Sequence, residues 1–188
     1  PPPITEILNV MRRCFMFLFF IAASLVSVTA YAQTEETPAR KNVPLHAEAA
    51  MGIATPYNGK LPMDVLVNVS YGIKRFSVFA MMDAGFFLLK EGGSHNFNKA
   101  VNIGGGAGYM FLPTEKSGIG DLEVRAAVTT TVGSSDYKNL SANLGLYLYG
   151  RPSKWGLSPV VGIGYNFRKF RPVSDCYHGA YLSLGIRF

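Results

Sequence analysis

The sequence predicts an all-β fold, namely an eight-stranded antiparallel up-and-down β-barrel that spans a membrane. Three observations lead to this fold class. Eight segments alternate apolar residues with polar or small ones, which is the period of a β-strand. The chain ends on an aromatic residue, Phe188, inside the last of these segments. The N-terminal part has the layout of an export signal.

The C-terminal segment shows the alternation most clearly. Every second residue from Ala180 to Ile186 is apolar. The residues between them are mostly small or polar, namely Tyr181, Ser183 and Gly185. The segment stops on Phe188 without a polar tail. An unpaired strand edge is excluded from hydrocarbon, so such a strand is expected to pair with the first one and close the sheet.

Residues 11–32 are interpreted as a cleaved signal peptide. Met11, Arg12 and Arg13 form the basic start, residues 15–28 are apolar, and Ala30-Tyr31-Ala32 is a small-residue cleavage site. A membrane anchor is the alternative, because the apolar run is borderline for the roughly 20 residues of a spanning helix. We assign residues 1–10 to an upstream extension or expression remnant, residues 33–43 to a flexible periplasmic lead-in, and residues 44–188 to the barrel.

Turn-rich stretches separate the eight predicted strands. Alternation alone does not say which face of a barrel is inside. The export signal, the terminal Phe188 and aromatic residues near the strand ends favour apolar side chains that point outward into lipid. The predicted strands cover residues 45–55, 63–73, 75–89, 99–112, 121–133, 139–150, 157–170 and 177–188.

The opposite face carries polar or small residues, as a narrow interior requires. Eight strands enclose only enough room for side chains, so we expect a filled lumen. Glu48, Asp83, Arg125 and Arg187 are the candidate lumen charges. We hypothesise that each arginine pairs with Glu48 or Asp83, because an unpaired buried charge costs about 3–5 kcal/mol.

An even number of strands places both chain ends on the same side, expected to be the periplasm. The stretch 168–175 then becomes an extracellular loop. It holds the densest basic cluster of the barrel, Arg168, Lys169 and Arg171. These residues are interpreted either as a solvated loop or as a contact for lipopolysaccharide phosphates, which guanidinium groups bind with two hydrogen bonds.

The stretch 45–188 resembles the bacterial outer-membrane β-barrel domain family, of the small, eight-stranded, porin-like OmpA/OmpX type. Leu182, Leu184, Ile186 and Phe188 resemble the C-terminal assembly signal of such barrels. The resemblance implies a monomer exported to the outer membrane of a Gram-negative bacterium. It also implies contact with outer-membrane lipid and lipopolysaccharide, and assembly by periplasmic chaperones and the barrel-assembly machinery.

The expected function is a structural role in membrane integrity, without catalysis, catalytic residues, cofactor or metal. Three alternatives remain open: a small-solute porin, a lipid A-modifying enzyme and a soluble lipocalin-like barrel. Ser174, Asp175 and His178 lie near one rim but lack the His-x-Ser arrangement of lipid A deacylases. The glycine run 104–108 lacks the Lys-Ser/Thr of a phosphate-binding loop. The net charge of +6 is spread along the chain, so no nucleic acid is expected.

Overall fold

The computed structural model describes residues 45–56, 60–91, 94–113, 120–135, 137–171 and 176–188. The predicted extension, signal peptide and lead-in lie outside these residues and stay predictions. No helix among the described residues is long and apolar enough to cross a bilayer. The strands are β1 (Leu45–Ala54), β2 (Lys60–Ile73), β3 (Phe76–Glu91), β4 (Ser94–Leu112), β5 (Gly120–Val132), β6 (Asn139–Gly150), β7 (Ser158–Phe170) and β8 (Cys176–Arg187).

Each strand pairs antiparallel with the next, and β8 returns to pair with β1, so the sheet is a closed barrel. The closing seam runs from Glu48 opposite Arg187 to Ala54 opposite Tyr181. Backbone hydrogen bonds extend it beyond both limits: the amide of Phe188 donates to Ala47 at 2.8 Å, and that of Thr55 donates to Ala180 at 2.9 Å. The predicted fold class is confirmed.

The apolar face of the sheet is the outer one. Leu144 is 59% exposed and Ile163 is 55% exposed, whereas Glu48, Asp83 and Arg125 are each only 3% exposed. A soluble barrel would show the opposite arrangement, with apolar side chains packed inside and charges in water. This inverted polarity makes the chain a barrel of the outer-membrane type.

The two ends of the barrel differ. We call the end that holds Leu45 and Phe188 the terminal end, and the other one the loop end. At the terminal end β2 and β3 are joined by the two-residue turn Lys74-Arg75, where Lys74 adopts a left-handed backbone with φ of 59°. The links between β1 and β2, β3 and β4, β5 and β6, and β7 and β8 lie at the loop end.

The hairpin of β3 and β4 is longer than the sequence predicted. The ladder continues to Glu91 opposite Ser94, although the prediction ended β3 at residue 89 and began β4 at residue 99. A membrane-spanning strand needs only about 9–11 residues. Beyond the apolar band the backbone ladder of β3 and β4 continues in register. Lipid imposes no apolar alternation there, so the alternation of side chains could not predict this extension.

Candidate functional site

The interior of the barrel holds a group of charges that we call the seam cluster: Glu48, Glu123, Arg125 and Arg187. Arg125 Nη1 lies 3.1 Å from Glu48 Oε2, and Arg125 Nε lies 3.4 Å from Glu123 Oε2. Arg187 Nη2 also lies 3.4 Å from Glu123 Oε2, and Arg187 Nε lies 3.8 Å from Glu48. Two carboxylates and two guanidinium groups therefore bridge β1, β5 and β8 across the lumen.

Aromatic rings surround the arginines of the seam cluster. The Arg125 guanidinium carbon lies 5.0 Å from the ring centroids of Phe79 and Tyr147 and 5.1 Å from that of Tyr149. Arg187 lies 3.4 Å from the Tyr149 centroid. A cation over an aromatic face is stabilised by the ring quadrupole, more strongly where water is excluded. Rings and guanidinium groups therefore pack together inside the lumen at this level.

A second group, the loop-end cluster, consists of Asp64, Asp83 and Arg168. Arg168 Nη2 lies 2.5 Å from Asp64 Oδ2, and its Nε donates to Asn166 Oδ1 at 2.9 Å. Asp83 accepts hydrogen bonds from Asn102 at 2.6 Å and from Thr129 at 3.2 Å. The cluster holds two carboxylates and one guanidinium, and neutral donors satisfy the carboxylate of Asp83.

Polar side chains near this cluster tie neighbouring strands together from inside. The hydroxyl of Thr131 on β5 donates to Asn102 Oδ1 on β4 at 2.6 Å and accepts from the backbone amide of Asn139 on β6 at 2.8 Å. Asn166 on β7 donates to Asn143 and to Ser141 on β6. Buried polar groups need such partners, and this belt supplies them between β4, β5, β6 and β7.

An aromatic cap lies above the loop-end cluster, formed by Ala54, Ala100, Phe170 and Tyr177. Tyr137 packs edge-on against Phe170 with 6.1 Å between the ring centroids. The hydroxyl of Tyr177 donates to the carbonyl of Thr55 at 2.8 Å, which joins β8 to the end of β1. The cap therefore covers the lumen at the loop end.

A cavity of about 40 Å³ lies in the lumen and is bordered by members of both clusters. Its apolar wall includes Leu66, Phe79 and Met81. Its polar wall includes Asn68, whose Oδ1 is buried without a hydrogen-bond partner among the described residues. A polar space of this size has room for a few ordered waters.

All four predicted lumen charges point into the barrel, and Arg125 contacts Glu48 as hypothesised. Asp83 differs, because it lies in the loop-end cluster while Arg125 and Arg187 contact Glu48 and Glu123. The sequence reasoning missed Asp64, Glu123 and Arg168. Continuing the alternation through β2, β5 and β7 would have placed them on the inner face.

The predicted lipopolysaccharide contact needs a correction at Arg168. Its side chain points inward, is 2% exposed and is bound to Asp64, so it cannot reach an outer lipid. The cause is the alternation of β7, which continues to Phe170 and sends every even-numbered residue into the lumen. Lys169 and Arg171 are both exposed.

Several of the aromatic residues near the strand ends face the lumen instead of the lipid. Tyr149, Phe170 and Tyr177 are 2%, 6% and 3% exposed, and Tyr147 stacks on Arg125. The outward girdle is clearest at the terminal end. The exposed aromatic side chains there are Tyr71, Phe76, Tyr109, Phe111, Trp155 and Phe188.

The glycine run of β4 serves close strand packing. A Cβ on Gly104 would overlap the carbonyl oxygen of Val128, and one on Gly106 would overlap that of Ala126. Both carbonyls belong to the paired strand β5. Glycine at these positions therefore lets two backbones approach closely, which supports the rejection of a phosphate-binding loop.

Of the three rim residues considered for lipid A chemistry, the structure describes His178. The Nδ1 atom of His178 lies 2.6 Å from the hydroxyl of Tyr165 on the outer face of the barrel. Ser174 and Asp175 lie outside the described residues. Cys176 is a free, partly buried thiol. Among the described residues no group of three or more metal-ligating side chains could hold a metal ion.

No protein-family model matches the chain, and no curated protein matches it. Among solved structures it is similar to the crystal structure of Neisserial surface protein A, with 19% sequence identity and a TM-score of 0.43. That match covers 76% of this chain and 94% of the other. The similarity is too weak to assign a family. The fold class rests on the strand pairing and on the inverted polarity of the sheet.

Proposed function

We propose that this chain is an integral outer-membrane β-barrel protein of a Gram-negative bacterium, with a structural role in membrane integrity and no catalysis. The observation that carries the proposal is the inverted polarity of a closed sheet. In hydrocarbon every backbone polar group must be paired, and a closed barrel satisfies this requirement. The exposed apolar side chains then match acyl chains, while the charged ones are neutralised inside.

A filled lumen follows from the arrangement of its layers. The seam cluster with its aromatic rings occupies one level, and the aromatic cap covers another. This packing gives the barrel rigidity instead of a wide aqueous path. A monomer is the proposed state, because every strand already has two partners within one chain.

A small-solute channel is the second candidate, and the cavity between the two clusters favours it. Opening a path would require movement of the rings around Arg125 and of the cap. Single-channel conductance separates the candidates, since a structural barrel gives no steady current. A lipid A-modifying enzyme and a soluble lipocalin-like barrel are weaker alternatives. Mass spectrometry of lipid A tests the first of these two.

The proposed partners follow from this location and from the resemblance of the last strand to an assembly signal. They are outer-membrane lipid, lipopolysaccharide, the periplasmic chaperones and the barrel-assembly machinery. The loop end would face the cell exterior and the terminal end the periplasm.

Fractionation of cells that produce the full chain tests the location. We expect the protein in the detergent-extracted outer-membrane fraction, with a gel mobility that shifts on boiling because the closed barrel resists detergent until heated. Recovery from the soluble fraction with no mobility shift would contradict the proposal and favour the lipocalin-like alternative.

A further inference from the structure

Charge is divided between the two faces of the sheet. The acidic residues of the strands whose side chains are described lie at lumen-facing positions: Glu48, Asp64, Asp83, Asp121 and Glu123. On the outer face the described charged strand residues are Lys99 and Lys169, both exposed and both near the loop end. Arg171, just past β7, is exposed as well. The described outer surface is therefore cationic at the loop end of its strands.

Lys169 and Arg171 share one level of the barrel. Lys169 pairs in register with Leu140 on β6 and with Cys176 on β8, and Leu140 pairs with Thr130 on β5. The side chain of Arg171 turns back to this row, where its Nη2 donates to Thr130 Oγ1 at 2.8 Å. Two cations thus lie at the same height on the outer face, which we call the basic row.

A polar pair lies just below the basic row. His178 follows Cys176 by two residues on the same face of β8, and its Nδ1 contacts the hydroxyl of Tyr165 at 2.6 Å. The two rings are tilted by 30° with centroids 6.1 Å apart. Apolar side chains that would contact acyl chains surround this level, including Leu144 and Phe167, which are 59% and 43% exposed.

We infer that the basic row binds the phosphate of a phosphorylated outer-leaflet glycolipid, with Lys169 and Arg171 as its cationic contacts and the Tyr165–His178 pair beneath them. Charge complementarity carries this inference: an anionic headgroup meets cations while its acyl chains meet the apolar surface below. Basic residues near an anionic membrane surface each strengthen binding. The inference rests on the proposed function, which places the loop end in the outer leaflet.

The test compares two double variants of the purified, folded full chain. K169A/R171A removes the basic row, and R151A/K154A removes two exposed cations from the link between β6 and β7 at the terminal end. Native mass spectrometry in detergent measures retention of diphosphorylated lipid A and of the same lipid after enzymatic dephosphorylation. We expect K169A/R171A to weaken retention of the phosphorylated lipid about 30-fold. R151A/K154A should change it less than about twofold.

A third variant, H178F, tests the polar pair and should weaken retention less than the double variant does. Equal retention of the two lipids by the unmodified chain, or equal loss in both double variants, would overturn the inference. Competition by micromolar inorganic phosphate would also overturn it, because the site would then take the free ion. A boiling-dependent mobility shift in every variant shows that the barrel has formed. Absence of this mobility shift in the unmodified chain would instead count against the proposed function.

Discussion

At the scale of single residues, the seam cluster shows how a barrel interior tolerates charge. Glu123 accepts contacts from Arg125 and Arg187, and the hydroxyl of Ser77 also donates to it. Replacing one member of such a cluster does not simply remove an attraction. It leaves a desolvated partner without its counter-charge, and this penalty exceeds the net contribution of the pair.

Glu123→Gln should therefore lower the free energy of unfolding by about 3–5 kcal/mol. The neutral amide keeps the shape of the side chain but leaves Arg125 and Arg187 with Glu48 as their shared carboxylate. Urea unfolding in lipid vesicles measures the effect through the fluorescence of Trp155, the single tryptophan of the chain. Lys154→Ala, at an exposed position, is the control and should stay within about 0.5 kcal/mol.

Combining Glu123→Gln with Arg187→Gln removes one charge of each sign. We expect the double variant to be less destabilised than the sum of its two single variants, because neighbours in one network are not additive. Simple additivity of the two effects would mean that Arg187 and Glu123 act independently, contrary to their 3.4 Å contact.

Substituting Gly106 and Gly52 by alanine compares a crowded glycine position with an open one. In Gly106→Ala the added methyl group would overlap the Ala126 carbonyl and approach Phe79 Cζ to 2.7 Å, so β4 and β5 must shift apart. We expect a loss of about 1–3 kcal/mol. In Gly52→Ala the nearest atoms lie 3.6 Å away, and no strain is expected. Equal unfolding midpoints for the two variants in urea would contradict this explanation.

Alternation predicted that four charged residues face the lumen, because the side of the sheet on which a residue lies depends only on its position within its own strand. These residues are Glu48, Asp83, Arg125 and Arg187. The same rule, applied to every position of the predicted strands, would have placed Glu123 and Arg168 inside as well. The partner of each charge was not predictable in this way. Arg125 and Glu48 are 77 residues apart, and their contact depends on the stagger of all the strands between them.

At the scale of secondary-structure elements, a strand needs to alternate apolar and polar residues only along the part of its length that contacts lipid. β7 has 13 residues and alternates throughout, whereas β4 has 19 residues and runs past the apolar band. The sequence predicted the lipid-facing parts well because lipid imposes the apolar period there. It underestimated the hairpin of β3 and β4, where backbone pairing continues without that requirement.

A charge placed on the outer face should be costly in proportion to its depth. Ile163 lies near the middle of β7 and is 55% exposed, and Leu45 begins β1 at the terminal end and is 56% exposed. In vesicles Ile163→Arg should destabilise the barrel by about 2–4 kcal/mol and Leu45→Arg by about 0–1 kcal/mol. The measurement is the urea midpoint of each variant.

This pair separates a membrane barrel from a soluble one because the two side chains have almost the same exposure. In water an exposed isoleucine and an exposed leucine would both tolerate arginine, typically within about 0.5 kcal/mol. Similar small effects at the two positions would therefore show that the outer face does not contact hydrocarbon.

At the scale of the whole molecule, the lumen is layered along the barrel. The seam cluster pairs two carboxylates with two arginines, whereas the loop-end cluster holds two carboxylates and one arginine, which pairs with Asp64. The cavity lies between them, and the aromatic cap covers the loop end. If an ion path opened, the excess of carboxylates would favour cations along it.

Single-channel recording should accordingly show no steady current for the unmodified barrel, and cation-selective openings for Arg125→Ala. The substitution removes the guanidinium that lies between Phe79, Tyr147 and Tyr149, so the cavity can extend toward the terminal end. It also leaves Glu48 and Glu123 in the widened section with Arg187 as their remaining arginine partner. Arg151→Ala removes one exposed positive charge at that end and should leave the current at the baseline.

A large steady current from the unmodified barrel would favour the channel function. Silent Arg125→Ala barrels that still shift on boiling would place the main barrier at the aromatic cap, which Phe170→Ala would then open.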